Sequence, residues 1–184
     1  MRRCESLCSP CLDLRSLSKA YWPGITEITG AYMAEAAAVS LDSQKHHESA
    51  LLCVKGKFQV DYRVTFDPVS DRIRRAHGDL EVATENGAYA ISILLIDANT
   101  DLTVVERSRK GTGFDYWLGK KSIPGPYFQY KARLEVSGIR CGTDAVIDSR
   151  VKMKLNQTKR SDGFLPAFVV VVEFSAPKAK VAER

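Results

Sequence analysis

The sequence predicts an α+β, sandwich-like fold. A core of helix, strand, strand, strand, helix and strand follows an N-terminal helix and a β-hairpin. Three observations predict it. Residues 58–66 alternate strictly, with Phe58, Val60, Tyr62, Val64 and Phe66 against Gln59, Asp61, Arg63 and Thr65, the pattern of an antiparallel strand with one wet face. Leu80, Ala83, Gly87, Ile91, Leu94, Leu95 and Ala98 form one helical stripe, widened by Ile93 and Ile96 so that the helix should be buried nearly all round in its second half. Four consecutive valines within residues 168–174 read as a strand buried on both faces.

The elements follow in order. Residues 1–20 lack periodicity and read as a flexible leader. After Pro23-Gly24, a helix is expected over 25–41, with Ile25, Ile28, Tyr32, Ala36 and Val39 at helical spacing. Strands at 51–54 and 58–66 flank Lys55-Gly56-Lys57, and Asp67-Pro68 closes the hairpin. The second helix runs from Gly78 or Asp79 to residue 98. Strands are expected at 103–106, 114–118 and 130–137. A basic, Gly-containing turn lies at 107–113, a Pro-rich loop at 122–126 and a turn at 138–143. Asp144 caps a helix over 145–159 whose Ile147, Val151 and Leu155 face inward. Ser161-Asp162-Gly163 turns the chain into the valine strand. The divisions are a leader (1–20), a helix and hairpin packed on the core (21–78), the core (79–176) and a basic tail (177–184). No internal repeat is visible.

With 184 residues, 45% hydrophobic and 27% charged, the chain can hold a substantial core and is not of disordered composition. No apolar run approaches the roughly 20 residues of a membrane span, and Met1-Arg2-Arg3 is not followed by the apolar stretch of a secretory signal. A soluble, cytoplasmic protein without membrane partners is expected. The net charge of +5 is concentrated: residues 150–184 carry eight Lys and Arg against three acids, and the rest of the chain balances. That excess is either a phosphate-facing surface or a solvated helix face with a basic tail.

The five cysteines are an odd number, which argues against a disulfide framework in a reducing compartment. Cys4-x3-Cys8-x2-Cys11 has the spacing of the cluster loop of radical SAM enzymes. Those enzymes carry it within a large barrel that this chain is too short to build. A zinc site would need a fourth ligand, His46 or His47. The segment is therefore read as part of the loose leader.

Three acidic positions stand out. Glu81 and Glu85 share one helix face, continued by the small residues Ala88 and Ser92. Asp115 follows Gly111-Thr112-Gly113 directly. Glu135 lies in the middle of an otherwise apolar strand. If the two strands are neighbours, Asp115 and Glu135 project toward one point and repel unless a cation joins them. Mg²⁺, which takes one or two carboxylates and keeps several waters, suits such a pair.

The order of elements, with Thr-Val-Val-Glu-Arg-Ser-Arg-Lys-Gly-Thr-Gly-Phe-Asp-Tyr-Trp-Leu at 103–118 and Ala-Arg-Leu-Glu-Val-Ser-Gly at 132–138, resembles the PD-(D/E)xK nuclease superfamily of restriction endonucleases and Holliday-junction resolvases. The resemblance covers residues 79–174. It implies a restriction-endonuclease-like core and a Mg²⁺- or Mn²⁺-dependent phosphodiesterase acting on DNA. It assigns the ion to Asp115 and Glu135, with Glu85 or Glu81 completing the site. Two departures are plain. Phe114 stands in place of Pro, and Ser137 stands where the motif Lys belongs, so a basic residue must come from elsewhere. Lys152 or Lys154 on the following helix are the candidates, then Lys131 on the strand. Arg107, Arg109, Lys110, Arg150, Lys159 and Arg160 would contact phosphates. Many relatives work as dimers, which admits a homodimer here.

Rival readings use the same residues. One is a catalytically degenerate copy that binds nucleic acid or a protein without cutting. Another is an unrelated α+β protein that binds other proteins through its N-terminal helix and hairpin. Glu135 would then pair with Arg133 or Arg107, Asp115 would bond the backbone of residues 111–113, and Glu81 and Glu85 would serve the helix dipole. The three histidines fall in polar loops. No nucleophile elbow or Walker loop occurs, and Gly111-Thr112-Gly113 is too short for a dinucleotide signature.

Overall fold

The computed structural model describes residues 9–19, 21–121, 129–161, 163 and 165–184. Cys4, Cys8, the loop expected at 122–126 and Asp162 of the expected turn lie outside these. Among the described residues the fold is α+β, with one eight-stranded mixed sheet and four α-helices.

Strand β1 is Cys11–Asp13, β2 Ser49–Gly56, β3 Val60–Thr65, β4 Leu102–Arg107, β5 Tyr116–Lys120, β6 Ala132–Ile139, β7 Ala167–Glu173 and β8 Lys178–Glu183. The helices are α1 Glu27–Asp42, α2 Asp71–Ala76, α3 Leu80–Asn99 and α4 Asp144–Thr158. Across the sheet the order is β1-β3-β2-β8-β7-β6-β5-β4. The run α3-β4-β5-β6-α4-β7 contains an antiparallel meander, β4–β5–β6, with β7 parallel to β6. Helices α1 and α3 cover one face of the sheet, and α4 packs on β6, β7 and β8 from the other. Val170 and Val172 belong to the larger core and Val169 and Val171 to the smaller one beneath α4, so β7 is buried on both faces as its four valines require. No helix among the described residues is long and apolar enough to cross a membrane.

Several expectations are corrected. Residues 11–18 are structured. Cys11–Asp13 pairs in parallel with β3, and Leu14–Ser18 forms a 3₁₀ turn whose first N–H groups are served by the Asp13 carboxylate, 3.1 Å from the Arg15 amide. Leu12, Leu14 and Leu17 are buried in the main core. Eight residues are too few to display a period, which is why they read as a leader. The expected basic tail is strand β8, inserted between β2 and β7. Its Val181 faces the core, while Lys178 and Lys180 lie 2.5 Å from Asp144 and Asp148 of α4. Part of the basic excess therefore docks a helix rather than facing solvent freely.

Helix α1 turns only part of the expected stripe inward: Ala36 and Val39 are buried as expected, but the bulky residues of its first turns are not. Ile28 is 83% exposed and Tyr32 43%, whereas Met33, Ala37 and Leu41 are buried. The small face lets α1 approach α3 closely: a Cβ on Gly87 would lie 2.7 Å from the Ala37 Cα. Helix α2 precedes His77, where a polar loop is expected. It spans under two turns, too short for an apolar stripe, and Ser70 caps it through the Ile73 amide at 3.3 Å.

Leu17 is fully buried, and its carbonyl would meet a Cβ on Gly30 at 1.8 Å, so the segment is clamped against α1. We expect Leu17→Ala to cost about 2–5 kcal/mol of stability, and removal of residues 1–20 to cost more. Chemical denaturation checks this; unchanged midpoints would mean that the segment is peripheral.

A candidate carboxylate site on strand β6

Alternation along β6 sends Leu134 and Val136 into the larger core, and Arg133, Glu135 and Ser137 toward α4. Each of the three meets a partner there. The Arg133 guanidinium, 3% exposed, donates to the carbonyls of Thr158, Ser161 and Leu165 at 3.1, 2.6 and 2.7 Å, so it is occupied with the end of α4 and is not the partner of Glu135. The Lys154 ammonium donates to Glu135 Oε1 at 2.5 Å, and the Gln157 amide donates to the same oxygen at 2.9 Å. Arg150 donates to Ser137 Oγ at 2.8 Å. Residues 150, 154 and 157 recur at helical spacing and line one face of α4.

Asp115 immediately precedes β5 rather than lying within it. Its own N–H donates to the Leu134 carbonyl at 2.8 Å, which fixes it against β6. Carboxylate oxygen Oδ2 accepts the Val136 N–H at 2.9 Å, and Oδ1 accepts the Tyr89 hydroxyl at 3.0 Å. The carboxylate thus bonds the neighbouring strand and α3, not the backbone of residues 111–113. The turn before it depends on Gly113, at φ +87°, where a Cβ would lie 2.5 Å from the Gln157 carbonyl.

Tyr89 organises the other side. Its hydroxyl also lies 3.2 Å from Glu85 Oε1 and accepts from Arg107 at 3.0 Å. The Arg107 guanidinium lies over the rings of Tyr89 and Tyr116, 4.4 and 4.6 Å from their centroids, and 3.6 Å from Asp115. With Arg107 occupying a lone pair of Tyr89, the hydroxyl proton points toward the carboxylates. Burial first, then the Asp115 charge, holds the Tyr89 phenol well above its ordinary range.

Glu135 is 1% exposed, and among the described residues its Oε2 accepts no hydrogen bond and faces the Asp115 carboxylate. Burial first, and the neighbouring Asp115 carboxylate second, push its carboxyl up to about 7 against the pull of Lys154. Beside this pair, a cleft of about 610 Å³ opens between the start of α3, the second half of β6 and α4. Glu81, Glu85, Ser137, Arg150 and Lys154 line it.

The sequence-predicted residues therefore divide. Asp115, Glu135 and Lys154 come together, and Glu85 joins them through Tyr89. Glu81 stands on the cleft wall, with its amide used by the Asp79 cap at 2.9 Å. Lys152 is exposed and points away from the carboxylates. Arg107 and Arg150 are engaged with site residues. Arg109, Lys110, Lys159 and Arg160 are exposed. Ala88 and Ser92 are fully buried rather than bordering open space. Tyr89 and Gln157 were missed; their signal was spacing alone, four residues after Glu85 and three after Lys154. His46 bonds the Ser175 carbonyl at 3.2 Å and His47 the Asp42 carboxylate at 3.0 Å, while Cys11 lies 3.5 Å from the Thr65 hydroxyl.

Among the described residues, no three His, Cys, Asp or Glu side chains are grouped so as to enclose a metal ion. Asp115 and Glu135 are the residues that could hold Mg²⁺, which takes one or two carboxylates and keeps several waters. No family model matches the chain, and neither does any curated protein or solved structure.

The raised Glu135 pKa has a definite sign in the stability. Between its ordinary value of 4.5 and about 7, the folded state holds a proton that the unfolded chain has released. Stability is therefore lost as pH rises through that window. We expect a wild-type melting temperature that falls from pH 5 to pH 8 relative to Glu135→Gln. Parallel profiles for the two proteins would contradict the assignment.

Proposed function

We propose that the chain is a metal-dependent phosphodiesterase acting on DNA, of the PD-(D/E)xK type, with Lys154 in the role of the motif Lys. The observation that carries this reading is the 2.5 Å contact between Lys154 and a buried Glu135 whose other oxygen is unpartnered. The order α3-β4-β5-β6-α4-β7 and the strand directions support a restriction-endonuclease-like core. Asp115 at the start of β5 and Glu135 within β6 match the superfamily's two acidic positions.

Each residue then has a stated task. Asp115 and Glu135 offer oxygens to Mg²⁺ or Mn²⁺, and Glu85 extends the acidic wall. Val136 N–H and the Tyr89 hydroxyl keep the Asp115 carboxylate aimed. Lys154, brought in from α4, supplies the positive charge that Ser137 cannot. It would stabilise negative charge developing on a phosphoryl group in the cleft. Arg150, held by Ser137 at the cleft wall, would neutralise a neighbouring phosphate. When bound, the ion acts as a Lewis acid and lowers the pKa of its water.

The degenerate, non-cutting reading keeps a specific observation of its own: Lys154 and Gln157 already satisfy one oxygen of Glu135. The experiment separates the two. Wild-type protein should nick labelled DNA with millimolar Mg²⁺ or Mn²⁺. Glu135→Gln should abolish this, Lys154→Met should lower it by about 10²–10⁴-fold, and Lys152→Gln should leave it unchanged, with all three folded by circular dichroism. Wild-type protein that neither cuts DNA nor gains thermal stability from either ion would leave the binding module as the function.

A further inference from the structure

The sheet face that carries Glu135 continues past the edge of α4. Helix α4 packs on β6, β7 and β8, and Trp117 of β5 stands opposite Arg133 of β6 on that same face, half-buried beyond the helix. Trp117 stacks on Tyr130 at 4.3 Å with planes 25° apart, and Phe114 meets the indole edge-on at 4.5 Å. Tyr130 is also half-buried, and its hydroxyl is anchored on Glu106 at 2.5 Å. These are rigid aromatic groups next to the carboxylate pair: Phe114 and Trp117 lie one residue before and two after Asp115.

Cations border this platform. Arg109 belongs to the β4–β5 turn, and its charge reaches the Tyr130 hydroxyl. Lys159 and Arg160 follow α4, and the Arg160 Cβ would lie 3.5 Å from a Cβ on Gly113, next to Phe114. All three cations are exposed, and among the described residues none has an ion-pair partner. By contrast, Lys178, Lys180 and Lys154 are each 2.5 Å from a carboxylate. A partly exposed aromatic stack flanked by unpaired cations is complementary to a polyanion with flat apolar groups. Bases offer their faces only when they are unpaired; in a duplex those faces are stacked inside.

We propose that the Trp117–Tyr130 platform binds single-stranded DNA, with bases on the aromatic rings and phosphates at Arg109, Lys159 and Arg160. This names the substrate form for the carboxylate site and rests on the phosphodiesterase reading for what happens to the strand. The binding itself does not need that reading.

The test uses the full chain in EDTA, so that no cleavage occurs. The probes are a labelled oligodeoxynucleotide of about 12 nucleotides and the duplex of the same sequence. The single strand should bind at least about tenfold more tightly than the duplex and quench tryptophan emission. The quenching should vanish in Trp117→Phe, since Trp22 is buried. Trp117→Leu should weaken single-strand binding by about 5- to 100-fold. Tyr130, outside any strand, gives a second variant, Tyr130→Leu, with the same expected direction should Trp117→Leu fail to fold. Replacing Arg109, Lys159 and Arg160 with Gln should lower the salt slope by about two. Equal or tighter duplex binding, binding without quenching, or a folded Tyr130→Leu that binds as wild type would each overturn the proposal. So would a dimer that Trp117→Leu dissociates while DNA affinity stays constant. Single-strand binding without metal-dependent cleavage would remove the phosphodiesterase reading and support this one, and cleavage of duplex without single-strand preference would remove this one alone.

Discussion

A parallel pair of neighbouring strands cannot be closed by a hairpin, so the β6–β7 pair requires a crossover that returns the chain to the starting end of the sheet. Helix α4 is that crossover, and its position follows from burial. The valines of β7 are apolar on both faces, so the face away from α3 must also be covered. Ile147 and Val151 supply the cover. Once α4 lies there, its next face hangs over β6, and Arg150, Lys154 and Gln157 come down on Ser137 and Glu135. The cationic side of the site is thus a by-product of how the most buried strand is shielded. The same geometry explains why Ser can stand at position 137: the charge arrives from the helix above instead of from the strand.

The electrostatics work only because α4 is fixed. A carboxylate as buried as Glu135 is costly unless hydrogen-bonded and paired, and Lys154 with Gln157 satisfies only one of its oxygens. The second faces a neighbouring carboxylate's field. Asp115 is better provided for, with a backbone amide and a phenol, and Arg107 adds charge from the opposite side. Burial first, and then the Asp115 charge, raise the proton affinity of Glu135.

Much of the architecture was readable because long, strongly patterned segments state their own structure. The stripe from Ala83 to Leu95 and the valines of β7 were both set by burial. Short elements were not readable. Residues 11–18 and α2 fit within two turns or one short pairing, and β8 shows alternating Lys and Ala that reads as a tail until its neighbours are known. For α1 the expected stripe held at Ala36 and Val39 and failed at bulky Ile28 and Tyr32, because close helix packing selects small residues such as Ala37 opposite Gly87. At the site, Asp115, Glu135 and Lys154 were readable because charge in an apolar setting is conspicuous. Tyr89 and Gln157 carry no charge, and their part emerges only when α3 and α4 are placed on the sheet.

Strand β8 lies in the middle of the sheet although it follows every other element in the chain. During synthesis on the ribosome, β1–β3 and β4–β7 emerge as two sheet halves with no strand between them. The facing edges of β2 and β7 then stay unpaired until residues 178–183 leave the exit tunnel. An unpaired edge is a template for wrong pairing, and a nascent chain arrested before β8 would expose two. The order of elements thus makes closure of the sheet wait on its last-made strand, which joins both halves and permits the final burial of β7.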